Sequence, residues 1–161
     1  MPNIGFIGLG NMGKALVKSW KGLEQVNIYG YDSDRQKTSK LQEESGINTV
    51  STLQELLNNC KYIVLAVKPY QLEQLLSEWK EYLRDTHCLI SIAAGIEREK
   101  LLQWSGNCCP VVRVMPNTPA LIDAGVFAVC LDDPRLQDSD REIVHDLFAN
   151  SGNVHIMPEK Y

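Results

Sequence analysis

The chain has 161 residues, 44% of them hydrophobic, so it is long enough to bury one hydrophobic core in a single domain. A formal net charge of −4, without a long basic run or an apolar run of membrane-spanning length, argues against nucleic acid and membranes as partners. The five cysteines lack C-x-x-C spacing, which argues against a metal site or a disulfide framework and favours a reducing cytoplasm.

Strand and helix patterns alternate along the whole chain. Short apolar runs predict eight strands, at residues 4–7, 26–31, 49–50, 62–67, 88–92, 111–115, 126–131 and 154–157. Apolar residues at helical spacing predict six helices, at 11–21, 33–45, 53–57 after a cap at Ser51 or Thr52, 69–83, 97–104 and 138–150. Because the run at 62–67 is apolar throughout, that strand should be buried on both faces of a parallel sheet. The alternation predicts a doubly wound α/β sheet, mostly parallel, with helices on both faces.

A glycine-rich turn, GLGNMG at 8–13, joins the first strand to the first helix. Gly8 permits the sharp turn, Gly10 lets the backbone approach a pyrophosphate, and Gly13 lets the helix pack close to the sheet. The free N–H groups and the dipole at the start of the helix favour negative charge. Asp32, nineteen positions after Gly13, completes the dinucleotide-binding fingerprint of a Rossmann-type fold. The alternative is a glycine-rich turn that binds nothing.

The loop after the second strand is the predicted cofactor selector. Asp32 can accept hydrogen bonds from an adenosine ribose, which favours NAD, and it would repel a 2′-phosphate. Ser33 and Arg35 can instead bind that phosphate, so the choice between NAD and NADP stays open. In the alternative reading, Asp32 is a turn or N-cap residue.

Two further loops follow strands of the predicted sheet, where ligands of open parallel sheets bind. In the first, AVKP at 66–69, Lys68 lies at the mouth of the crevice, where it can hold a phosphate or remain a solvated lysine. In the second, SIAAG at 91–95, small residues either allow close approach of a ligand or serve tight packing.

A third loop, RVMPNTPA at 113–120, contains two prolines that fix the backbone around Asn117 and Thr118. This forms a rigid polar shelf suited to a flat carboxamide such as nicotinamide. Arg113 lies in an apolar strand and needs a partner, and structural pairing is a better explanation for it than catalysis. No Ser/His/Asp order, HExxH motif or carboxylate pair stands out, so we predict neither a metal site nor a catalytic side chain.

The order and spacing of these motifs resemble those of the pyrroline-5-carboxylate reductases. The first ten-residue motif, IGFIGLGNMG at 4–13, also resembles β-hydroxyacid dehydrogenases, and the loops at 66–69, 91–95 and 113–120 narrow the resemblance. The resemblance covers the whole chain. It implies an oxidoreductase of proline biosynthesis that reduces 1-pyrroline-5-carboxylate to L-proline by hydride transfer from NADPH or NADH.

The resemblance also assigns site residues. It places the adenosine and phosphates at 8–12 and 32–35, the ribose along Val67 and Lys68, and the nicotinamide at Ala93, Asn117 and Thr118. With the loops above, the predicted cofactor-binding residues are Gly8, Gly10, Asn11, Met12, Gly13, Asp32, Ser33, Arg35, Ala66, Val67, Lys68, Pro69, Ala93, Ala94, Gly95, Asn117 and Thr118. Because many members have an asparagine–arginine type sequence near Asp32, this departure leaves NADP preference undecided.

Members of this family are longer than this chain. Their second, mostly helical domain forms the homo-oligomer and the substrate pocket, and we expect residues 1–161 to be the NAD(P)-binding domain without it. Such a chain should expose an apolar docking surface near the final strand and residues 127–129, and should be inactive alone. The alternatives are the cofactor domain of a β-hydroxyacid or 6-phosphogluconate-type dehydrogenase, and a non-catalytic nucleotide-binding module.

Overall fold

Eight strands form one sheet in the computed structural model, which describes residues 2–116 and 125–159. The strands are β1 (Asn3–Ile7), β2 (Asn27–Tyr31), β3 (Asn48–Thr49), β4 (Tyr62–Leu65), β5 (Cys88–Ser91), β6 (Val111–Pro116), β7 (Gly125–Cys130) and β8 (Gly152–Ile156). The helices are α1 (Asn11–Trp20), α2 (Arg35–Ser45), α3 (Leu53–Asn59), α4 (Pro69–Trp79), α5 (Arg98–Trp104) and α6 (Asp138–Ala149). All the predicted elements are present, and their ends differ from the predicted ends by a few residues.

The strand order is β3-β2-β1-β4-β5-β6-β7-β8. Every neighbouring pair is parallel except β6 and β7, which are antiparallel. The chain reverses its direction of winding between β1 and β4, which is where open α/β sheets bind ligands beyond the carboxyl ends of their strands. The predicted Rossmann-type, mostly parallel sheet is confirmed.

Two buried clusters show that helices cover both faces of the sheet. One cluster contains side chains of α1, α2 and α6, and the other contains side chains of α3, α4 and α5. Local signals set two helix ends: Thr52 Oγ1 accepts from the Glu55 N–H at the start of α3, as predicted, and Gly46 in a left-handed conformation ends α2. Among the described residues, no helix has the length and apolar character needed to cross a membrane.

The prediction of an exposed apolar surface at 127–129 is wrong for Phe127 and Val129, while Ala128 is half-buried. Phe127 and Val129 are fully buried, because α6 packs over this face of β7 and β8 extends the sheet beyond it. The Phe127 ring lies 5.3 Å from that of Phe148 on α6, centroid to centroid. On the final strand, Ile156 is 55% exposed, so the expectation holds for one side chain of β8 only.

The position of α1 is fixed at the end opposite its glycine turn. Trp20 is fully buried, donates from Nε1 to Ser151 Oγ at 2.9 Å, and packs against Phe6 and Phe148. Aromatic contacts of this kind contribute beyond the area they bury, so the helix axis is held firmly relative to the sheet. The N-terminus of α1 therefore stays aligned with the carboxyl end of β1.

A buried carboxylate attaches α6 to the middle of the sheet. Asp140 Oδ1 accepts from Tyr62 Oη at 2.6 Å and lies 3.1 Å from Lys61 Nζ, and Oδ2 accepts from the Gln137 N–H. Burial raises the pKa of the Asp140 carboxyl, but the hydrogen bonds from Tyr62 and Gln137 and the nearby Lys61 ammonium outweigh burial and lower it. These contacts stabilise the fold only while the carboxyl is ionised.

We expect Asp140→Asn to lower the free energy of unfolding at pH 7 by about 1.5–3 kcal/mol, the usual contribution of hydrogen bonds to a charged group. Since the folded-state pKa is lowered, the stabilisation is present above the unfolded pKa and is lost as the pH falls through the folded value. Urea unfolding at pH 7, 5 and 3 should show the gap between parent and variant closing at the acid end. The control is Asp138→Asn, a fully exposed position on the same helix. A gap that does not change with pH would contradict this account.

Candidate functional site

The glycine turn is packed directly against the loop that follows β4. Gly8 has a φ of +85°, and a Cβ there would lie 2.8 Å from the Ala66 carbonyl oxygen and from Val67 Cγ1. A Cβ on Gly13 would lie 2.9 Å from Ala66 Cβ and from the Gly8 carbonyl oxygen. Only glycine fits both positions, as predicted, and the turn and the 66–67 segment are fixed as one unit.

Gly10 differs from its two neighbours in the motif. No atom lies within 4 Å of the position that its Cβ would occupy, so its surface is open. It is the N-cap of α1, and no side chain of the described residues caps the helix there. The first N–H groups of α1, at Asn11 and Met12, are therefore free to bind an anion that approaches over Gly10. This is the cradle that a pyrophosphate requires.

Asp32 holds the glycine turn in place. Its Oδ2 accepts from the Leu9 N–H at 2.7 Å, and its Oδ1 accepts from the Asp34 N–H at 2.8 Å. Asp34 in turn caps α2 by accepting from the Gln36 N–H at 3.0 Å. Asp32 is therefore a turn residue, which was the alternative to ribose binding, and it also accepts a hydrogen bond from Leu9 in the glycine turn. A ribose would have to share oxygens that already accept backbone hydrogen bonds.

A cavity of about 200 Å³ lies at the carboxyl ends of β2 and β3. It brings together the predicted Asp32, Ser33 and Arg35, with Ser33 and Arg35 exposed. Residues that sequence reasoning missed complete the lining, namely Tyr31, Thr38, Ser39, Thr49, Val50 and Ser51. The segment at 49–51 could have been found, because it follows a strand at the same edge of the sheet as the glycine turn.

The loops after β4 and β5 lie along the same edge of the sheet. Ala66 donates to the Ile7 carbonyl oxygen at 2.8 Å, and Ala66, Val67 and Pro69 are half-buried. Lys68 is exposed, and its backbone N–H donates a hydrogen bond to Gln71 Oε1 at 3.0 Å. The exposed lysine side chain is compatible with both readings made from the sequence.

The loop after β5 contains one buried and two exposed predicted residues. Ala93 is buried and donates its N–H to Ser91 Oγ at 3.3 Å, whereas Ala94 and Gly95 are exposed. Gly95 has a φ of +76°, which favours glycine at this turn. Packing therefore explains Ala93, and the exposed pair is available to a ligand.

Arg113 has the structural partner that its position required. Its Nη1 lies 3.3 Å from Glu159 Oε1, with the two side chains 13% and 19% exposed. Glu159 also accepts from the Arg98 N–H at 2.8 Å, so the segment after β8 is fixed against α5. The predicted nicotinamide shelf, Asn117 and Thr118, lies outside the described residues.

The described residues include no group of histidine, cysteine and acidic side chains that could hold a metal ion. Burial raises the pKa of the Cys60 thiol to about 12, and burial together with the neighbouring Cys108 does the same for Cys109. These thiols stay protonated near neutral pH and are inert as nucleophiles. The arrangement at this edge is thus suited to binding and orienting a phosphate-bearing ligand.

Comparison with known proteins finds similarity to the family that the sequence motifs resemble. The model of the family described as NADP oxidoreductase, coenzyme F420-dependent, matches residues 3–95. Pyrroline-5-carboxylate reductase from Escherichia coli K12 is 34% identical over 159 residues, which cover 97% of this chain and 59% of the relative. The predicted resemblance is confirmed.

Solved structures agree in fold. A pyrroline-5-carboxylate reductase from Coxiella burnetii superposes with a TM-score of 0.88 at 28% identity, over 97% of this chain and 58% of its own. The NADP-bound pyrroline carboxylate reductase of Plasmodium falciparum gives 0.79 at 33% identity, over 99% of this chain and 58% of its own. The chain therefore spans a little under three fifths of the length of these relatives.

Proposed function

Since this chain belongs to the family of NADP oxidoreductases described as coenzyme F420-dependent, we propose that it binds NADPH or NADH at the carboxyl edge of its sheet. The observation that carries the proposal is the open surface over Gly10 at the uncapped start of α1. The pyrophosphate would meet the Asn11 and Met12 N–H groups there, while Asp32 holds the turn from behind.

We propose that the reaction served is the reduction of 1-pyrroline-5-carboxylate to L-proline, as in proline biosynthesis. Similarity to the E. coli reductase over 97% of the chain supports this choice of substrate. When bound, the nicotinamide supplies a hydride from C4 to the carbon of the C=N bond, with a proton added at nitrogen. The chain's own contribution is to orient the cofactor. The rigid turn at Gly8 and Gly13 would fix the position of the pyrophosphate, and the small residues Ala94 and Gly95 would leave space for the cofactor beside β5.

We assign residues 1–161 to the cofactor-binding unit. The imino-acid pocket and the homo-oligomer contacts expected of the family would be formed by elements other than those described. The five unpaired cysteines favour a reducing compartment such as the cytoplasm. The net charge of −4 argues against binding to nucleic acid.

The proposal is tested by binding and turnover measured separately. We expect nicotinamide fluorescence to show NADPH or NADH binding by this chain, and the product of the whole gene to oxidise NADPH when 1-pyrroline-5-carboxylate is added. Binding without oxidation by the whole-gene product would reject this substrate and favour a related dehydrogenase or a binding module. Absence of binding by both proteins would reject the cofactor site.

A further inference from the structure

Helices α1 and α2 face each other beside the glycine turn, and their charges differ between the two ends of this contact. At the end far from the turn, Lys18 Nζ lies 3.6 Å from Glu44 Oε2, an ion pair between the helices. At the end near the turn, Lys14 of α1 faces Lys37 and Lys40 of α2 across a cavity of about 230 Å³. The second end thus combines like charges where the first combines opposite ones.

The cavity has an excess of positive charge. Three lysines line it against one acidic residue, Asp34, whose carboxylate accepts a hydrogen bond from the Gln36 N–H at the start of α2. Within residues 2–116 and 125–159, none of the ion pairs involves any of these three lysines. Clustered like charges destabilise a fold unless an anion is bound among them, and this chain is negative overall.

The cavity adjoins the proposed cofactor site. Leu9, which precedes Gly10, forms part of its wall, and so does Asp34, which lies in the loop that follows β2. Its volume is that of several water molecules at about 30 Å³ each, enough for a phosphate group and its hydration. Ser33 and Arg35 line a different cavity, at the carboxyl ends of β2 and β3, and a phosphate could enter that cavity too.

We propose that the cavity between α1 and α2 binds the 2′-phosphate of NADPH through Lys14, Lys37 and Lys40, and that these lysines make the site selective for NADPH over NADH. The proposal rests on the proposed function. A phosphate monoester carries nearly two negative charges at neutral pH, and ammonium groups bind it as point charges. Selectivity then comes from two helices and not from the Asp32–Arg35 loop predicted from the sequence.

The test uses the double variant Lys37→Met, Lys40→Met, because methionine has an unbranched side chain of similar length and a similar helix propensity but no charge. We expect the Kd for NADPH to rise at least about tenfold while the Kd for NADH stays within about twofold, the separation expected of close charge pairs. The matched control is Lys18→Met, one turn further along α1, which should change neither. Because the substitutions remove like-charge repulsion, the melting temperature should be at or above that of the parent.

Three probes identify the source of the phosphate. Adenosine 2′,5′-bisphosphate should bind more tightly than adenosine 5′-monophosphate, with the difference lost in the double variant. Inorganic phosphate that bound as tightly as the bisphosphate in a lysine-dependent way would overturn the 2′-phosphate assignment in favour of a free anion.

Several results would overturn the proposal. Equal weakening of NADH and NADPH in the double variant would do so, as would a selective loss of NADPH in Arg35→Ala with none in the lysine variants. If the parent bound neither dinucleotide, the proposed function would fail as well. If it bound both and the lysine variants changed neither, only this inference would fail.

Discussion

Valine at position 10 should weaken dinucleotide binding strongly and leave the fold intact. A Cβ at Gly10 meets no atom within 4 Å, and its φ of −72° and ψ of −169° are extended angles that valine adopts readily. Because valine is a poorer N-cap than glycine, the free energy of unfolding should fall by up to about 1 kcal/mol. The branched side chain would occupy the space over the first N–H groups of α1. Overlap with a pyrophosphate should then weaken NADPH binding by about two orders of magnitude.

Gly13→Val is the matched contrast within the same motif. Its Cβ would lie 2.9 Å from Ala66 Cβ and from the Gly8 carbonyl oxygen, neither of which is the end of a flexible side chain. We expect a loss of about 3 kcal/mol of unfolding free energy, at the upper end of the usual range for overpacking. Urea unfolding and NADPH fluorescence titration, run on both variants and on Gly22→Ala, separate folding from binding. Gly22 also has no atom within 4 Å of its Cβ position and lies beyond the end of α1. NADPH binding that survives Gly10→Val unchanged would refute the cofactor site.

Features that depend on nearby residues were predicted well from the sequence. The glycine turn follows from steric limits on Gly8 and Gly13, which act over a few residues and one neighbouring loop. The strands and helices follow from local apolar periodicity, as the continuous apolar strand β4 illustrates. The elements that form the candidate site could therefore be predicted before their geometry was known.

Features that depend on tertiary contacts were not predicted. The buried state of Phe127 and Val129 requires that α6 cross over β7, and nothing in the sequence of β7 itself indicates this. The cavity between α1 and α2, here called the lysine cavity, is lined by Lys14, Lys37 and Lys40, which become neighbours only when α1 packs on α2. Each lysine alone is typical of a solvated helix face. Charge clusters formed between elements in this way give no short-range signal.

Asp32→Ala should lower the affinity for NADH and NADPH alike. The sequence suggested that removing this carboxylate would relieve repulsion of a 2′-phosphate and shift preference toward NADP by about 1–3 kcal/mol. In the structure, both carboxylate oxygens already accept backbone hydrogen bonds, from Leu9 in the glycine turn and from Asp34 in the next loop. Loss of these bonds would release the turn, and hydrogen bonds to charged groups contribute about 1.5–3 kcal/mol each. We therefore expect Asp32→Ala to destabilise the turn and weaken both dinucleotides by a similar factor.

Asp32→Asn distinguishes a positioning role from charge repulsion. Asparagine keeps one carbonyl oxygen as an acceptor but removes the charge. If Asp32 positions the turn, the asparagine variant should be intermediate between parent and alanine in dinucleotide affinity, with the NADPH:NADH ratio nearly constant across all three. Amide hydrogen exchange at Leu9 and Asp34 should quicken in the same order, because these N–H groups lose their acceptors. If Asp32 instead selects the cofactor by charge, both variants should raise the NADPH:NADH affinity ratio equally and leave the Leu9 amide protected. That second pattern would restore the loop as the selector and count against the lysine cavity.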